Sequence, residues 1–86
     1  MKLNKNFIIH NADGESLLVP TGSADFSGLV RGNKTFGAVL ELLRTETTEA
    51  AIIALLCDKF DAPESVIAAD VETALSNLRS IGALDE

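Results

Sequence analysis

Cys57 and His10 are the only cysteine and the only histidine in the chain. Cys57 sits between Leu56 and Asp58 inside a helical pattern, with no basic neighbour in sequence to activate it as a nucleophile. It reads as a small buried hydrophobe. His10 has no second histidine and no cysteine at ligand spacing, which excludes the usual zinc sets. Asp13-Gly14 lacks the acidic spacing of a calcium loop and reads as a turn. The segment Gly28-Leu29-Val30-Arg31-Gly32 lacks the Gly-Lys-Ser/Thr ending of a phosphate loop. With no nucleophile–base pair, metal constellation or cofactor loop, the sequence predicts no catalytic residue, no metal, no cofactor and no enzyme activity of its own.

Size points the same way. The chain has 86 residues and 9.1 kDa, room for one small domain over residues 1–86. At 47% hydrophobic it can bury a core. No apolar run approaches the roughly 20 residues of a membrane span. The N-terminal residues lack a secretory pattern, and a lone cysteine provides no disulfide framework, so a cytoplasmic location is expected.

Charge is unevenly placed. Residues 1–44 carry five basic and four acidic side chains, while residues 45–86 carry two basic and nine acidic ones, for a net charge of −6. A nucleic-acid-binding domain needs a basic stripe against phosphates. The second half shows the reverse.

Phe7–His10 and Leu17–Val19 are rich in strand formers, and Asp13-Gly14 between them is a two-residue hairpin signal. Centring the turn there pairs Ile9 with Leu18 and Ile8 with Val19. Pro20 ends the second strand or lies on an edge. Leu29-Val30-Arg31, between Gly28 and Gly32, is a short third strand. Asn33 then caps a first helix over Lys34–Arg44, with Phe36, Val39, Leu40 and Leu43 on one face. Thr47 or Thr48 caps a second helix running to about Phe60. Its broad apolar arc predicts the most buried helix of the three. A third helix from about Pro63 to Ile81 carries a core stripe of Ile67, Val71, Ala74, Leu78 and Ile81. Asp61 and Glu64 have capping-box spacing at its start, and Gly82 stops it. Residues 83–86 read as a tail from which Leu84 can still tuck in. The fold class is α+β: a winged helix-turn-helix in which an N-terminal three-stranded antiparallel sheet, a hairpin plus a short third strand, precedes three helices.

Several blocks then resemble a known family. They are Val19-Pro20-Thr21-Gly22, Phe26-Ser27-Gly28-Leu29 and the run Arg31 to Leu43. Thr47-Thr48-Glu49 leading to Phe60-Asp61, Asp70-Val71, Leu75, Leu78 and Ile81-Gly82-Ala83-Leu84 complete the set. In order and spacing the chain from Leu17 onward resembles the PqqD family, peptide-binding proteins of pyrroloquinoline quinone biosynthesis and related pathways. That resemblance implies a RiPP recognition element, where RiPPs are ribosomally made, post-translationally modified peptides. Such a domain binds the leader of a precursor peptide and presents it to a modifying enzyme, often a radical SAM enzyme. It also implies that the leader adds as a strand to the edge of the third strand and lies against the third helix, the mode called β-augmentation.

The residues expected to bind the peptide are Leu29, Val30 and Arg31 at the edge, Lys34 and Arg31 as charge partners, and Leu75 and Arg79 on the third helix. Two flanks of that helix border its core stripe, one with Val66, Asp70, Thr73 and Asn77, the other with Ala68, Leu75 and Arg79. Sequence spacing does not choose between them; the Leu75 and Arg79 flank suits leaders that combine apolar anchors with acidic residues. The expected partners are a leader peptide and a radical SAM or other modifying enzyme, with no nucleic acid and no membrane. A free strand edge allows a monomer or a homodimer. The alternatives are a winged-helix DNA-binding regulator, which the acidic third helix opposes, and a small scaffold subunit without a peptide ligand.

Overall fold

A hairpin comes first in the packing. Strand β2 (Phe7–Ala12) pairs antiparallel with β3 (Glu15–Pro20) in the register the turn implied, Ile8 opposite Val19 and Ile9 opposite Leu18. The structure, a computed structural model, describes residues 1–12, 15–22 and 34–86. The turn residues Asp13 and Gly14, the third strand at Leu29–Arg31 and the cap at Asn33 lie outside those residues.

The pairing alternates as an antiparallel ladder must. A two-residue loop closes on a hydrogen-bonded pair, here Ala12 with Glu15, so every second pair from there is hydrogen-bonded. The series ends where the Thr21 N–H donates to the Asn6 carbonyl at 2.8 Å. Pro20, opposite Phe7, falls in a pair that needs no ladder bond, so its missing N–H costs β2 nothing. Phe7 and Leu18 turn inward and are buried, while Ile8 and His10 face solvent.

Helix α1 (Lys34–Leu42) lies across β3. Its stripe of Phe36, Val39 and Leu40 is buried, and Leu43 just beyond the helix is buried too. Helix α2 (Glu49–Lys59) starts at Thr48, whose backbone is extended and whose side-chain oxygen accepts the Ala51 N–H at 3.1 Å. Helix α3 (Glu64–Ser80) packs on both α1 and α2. Its start differs from the expected capping box. Pro63 occupies the cap position with no side-chain cap, and its carbonyl accepts the N–H groups of Val66 and Ile67. The far end is a Schellman motif: Gly82 takes φ +73°, its N–H bonds the Arg79 carbonyl, and the Ala83 N–H bonds the Leu78 carbonyl.

Two expectations are corrected. Helix α2 buries only Ile52 and Leu56, whereas α3 buries Ile67, Val71, Ala74, Leu75 and Leu78, so α3 is the most buried helix. Residues 83–86 are no loose tail. Leu84–Asp85 forms β4, which pairs antiparallel with β1 (Lys2–Leu3). The Asn4 N–H donates to the Ala83 carbonyl, and the Asn4 side-chain amide donates to Asp85. On its other side β1 is tied to the α1–α2 connection, through Leu3 N–H to the Leu43 carbonyl and Thr47 N–H to the Met1 carbonyl.

All elements except the exposed ribbon edges feed one apolar cluster. Among the described residues no polar or charged residue is buried, and no buried side-chain polar atom lacks a partner. No helix among them is long and apolar enough to cross a membrane.

Candidate functional site

The ladder decides which backbone groups can take an added strand. Ser16 and Leu18 sit in pairs without ladder bonds, so their N–H and C=O groups point to the outer edge of β3. Among the described residues no further strand pairs with that edge. It is the side on which a third strand would continue the sheet. Leu29, Val30 and Arg31, expected to form that strand, lie outside the described residues.

Lys34 is exposed at the first residue of α1 and has no ion-pair partner among the described residues. Helix N-termini carry partial positive charge, so a lysine there adds to the field rather than offsetting it. The two together favour an incoming carboxylate.

The third-helix residues separate. Leu75 has none of its surface exposed and belongs to the core. Its inward position follows from helix geometry: it lies beside Val71 and Leu78, three or four residues away on the same face. Arg79, one turn on, is exposed but engaged. Its Nε lies 3.1 Å from one Glu86 oxygen and its Nη2 lies 3.0 Å from the other. Hydrogen bonding to the Glu86 carboxylate raises the Arg79 pKa, and Arg79 in turn holds the Glu86 carboxyl below its ordinary value. Arg79 also approaches the Met1 sulfur, which places it beside the β1–β4 ribbon.

The opposite flank of α3 is the open one. Val66 is 48% exposed, Thr73 and Asn77 are exposed, and Asp70 is half-buried. Val66 carried a usable signal in the sequence, a branched apolar residue off the core stripe of its helix. No other residue of this flank stood out by type.

A polar triad of Arg44, Glu41 and Asn11 borders the hairpin. The Arg44 Nε donates to Glu41 at 2.6 Å, and the Asn11 amide donates to the same carboxylate at 3.3 Å. The Arg44 bond is the main cause of a Glu41 pKa below its ordinary value. The α-ammonium of Met1 pairs with Glu46 and donates to the Thr47 carbonyl at 2.7 Å. Among the described residues no group of three or more His, Cys, Asp or Glu side chains is placed to hold a metal ion.

Comparison with known proteins bears on this geometry. The family model described as coenzyme PQQ synthesis protein D matches residues 15–84. In fold the chain is similar to TbiB1, solved in complex with the TbiA(beta) leader peptide. The TM-score is 0.76 at 16% identity, covering 99% of this chain and 100% of that one. It is also similar to a lasso peptide synthetase B1 complexed with the leader peptide. There the TM-score is 0.75 at 15% identity, covering 95% of this chain and 93% of that one. A search of curated proteins found no match.

Proposed function

The chain belongs to the PqqD family, and on that premise we propose that it is a RiPP recognition element, an accessory protein that binds the leader of a ribosomal precursor peptide. One observation carries the reading: the family match spans most of the chain, and both similar folds were solved holding a leader peptide. The leader adds as a strand beyond β3, along Leu29, Val30 and Arg31, so that main-chain hydrogen bonds supply affinity. Side-chain selection falls to Lys34, which meets a leader carboxylate, and to the open flank of α3 at Val66, Thr73 and Asn77. Leu75 supports that flank from within the core, and Arg79 holds the terminal ribbon.

The protein itself performs no chemistry on the peptide. It raises the local concentration of the substrate at a modifying enzyme, a radical SAM enzyme or another peptide-modifying enzyme. The acidic second half disfavours nucleic acid as the ligand. The whole chain, residues 1–86, acts as one domain in the cytoplasm, where precursor peptides are made.

The test is fluorescence anisotropy with labelled leaders taken from the short open reading frames beside the gene. One leader is expected to bind saturably, and its unlabelled form to compete. Absence of binding by every such leader, with the neighbouring modifying enzyme present, overturns the reading. A gel shift on duplex DNA at low salt is expected to show nothing.

A further inference from the structure

Helix α2 carries apolar residues on nearly every side, yet the fold covers only part of it. Ile52 and Leu56 enter the core, while Ala50, Ala51 and Ala54 are exposed and Leu55 is 51% exposed. Ala51, Leu55 and Asp58 recur at i, i+4 and i+7 and therefore share one outward face, with Ala54 beside them. That face borders a groove of about 240 Å³ between α1 and α2, lined by Ala38, Leu42, Leu55 and Leu56, with Glu41 and Lys59 at its rim. Lys59 is close enough to contribute to the lowered pKa of Glu41 across the groove, so the rim is already balanced. Asp58 is exposed and has no ion-pair partner among the described residues.

We infer that this α1–α2 face is a docking surface for an amphipathic helix of a partner protein, with basic residues flanking its apolar stripe. A helix-in-groove contact needs apolar anchors at helical spacing and an apolar floor, and Leu55 beside Leu42 provides both. The small side chains of Ala51 and Ala54 allow close approach of the partner backbone. Charge selects the occupant. Asp58 and the acidic second half favour a basic flank, whereas a second copy would bring two chains of net charge −6 together. The surface uses neither the outer edge of β3 nor the open flank of α3, so it stands or falls separately from peptide binding.

The probe is a synthetic 14-residue Leu/Lys amphipathic helix titrated into isotopically labelled protein. Saturable amide shifts are expected over residues 38–42 and 51–59. The decisive variant is Leu55→Glu, which should fold because the position is half exposed, as circular dichroism will verify. It adds a negative charge, so simple attraction of a basic peptide would strengthen. Loss of an apolar anchor instead weakens binding by roughly tenfold. Unchanged or tighter binding by Leu55→Glu, or shifts spread over the acidic surface of α3, overturns the proposal. So does a concentration-dependent dimer of the protein alone that Leu55→Glu abolishes, since the occupant is then a second copy. Leader binding is expected to be the same in both proteins.

Discussion

Gly37 of α1 and Ser16 of β3 meet so closely that a β-carbon on Gly37 would lie 3.3 Å from both the Cβ and the Oγ of Ser16. The Ser16 hydroxyl is itself held, donating to the Asn11 side chain at 2.8 Å. The helix thus rests directly on the strand whose outer edge is open to the expected third strand. Gly37→Ala recovers helix propensity of up to about 1 kcal/mol against a tight contact, and is expected to be near neutral. Gly37→Val forces α1 off β3 and is expected to cost about 1–3 kcal/mol. Urea unfolding read as a shift in midpoint at constant slope checks both.

Leu75 separates packing from recognition. Leu75→Ala leaves a cavity and is expected to lose about 2–5 kcal/mol. Leu75→Met conserves volume, costs under about 1.5 kcal/mol, and is expected to bind leader like the wild type. Weaker binding by folded Leu75→Met would assign the residue a direct part in the groove.

The two cations differ in what they are free to do. Lys34→Ala is expected to weaken leader binding several-fold, with the difference shrinking as salt rises. Arg79→Ala is expected to leave affinity unchanged and to loosen the terminal ribbon, seen as faster amide exchange at Asn4, whose N–H bonds the Ala83 carbonyl. The reverse pattern would return Arg79 to the peptide site.

Much of this architecture was legible because local periodicity coincides with burial. Asp13-Gly14 predicted the register of the hairpin, and the stripes of Phe36, Val39, Leu40 and of Ile67, Val71, Ala74 and Leu78 predicted the inner faces of α1 and α3. The β1–β4 ribbon was illegible, because two-residue strands have no period and their partners lie at opposite ends of the chain. The exposure of α2 was illegible for another reason: a helix apolar on all sides does not say which arc its neighbours will cover. Leu75 sits only about 80° from the centre of its stripe at ~100° per residue, where flank and core read alike. The fold resolves it by packing α3 against two helices at once.

Acid sensitivity should follow the exposed ion pairs. Glu41 and Glu86 are held below their ordinary values by Arg44 and Arg79. Their unfolded forms take up protons first, so the stabilisation is complete above the unfolded carboxylate range and is lost as pH falls through the lower folded values. The melting temperature is expected to be flat from pH 7 to about 5 and to decline below that. The combined Glu41→Gln and Glu86→Gln variant should decline less steeply, and the difference between the two should shrink in high salt.

Leader recognition rests on one step, the addition of the peptide as a strand beyond β3 along Leu29, Val30 and Arg31. The most direct test is an amide NMR titration with the leader that binds, followed by cross-strand nuclear Overhauser effects between leader and protein. Saturable shifts are expected at Leu29, Val30, Arg31 and Lys34 and along the open flank of α3. Alternating contacts from leader amides to the 29–31 backbone are expected too, with slowed exchange of those amides. Binding that shifts other surfaces and leaves residues 29–34 unmoved would rule out strand addition.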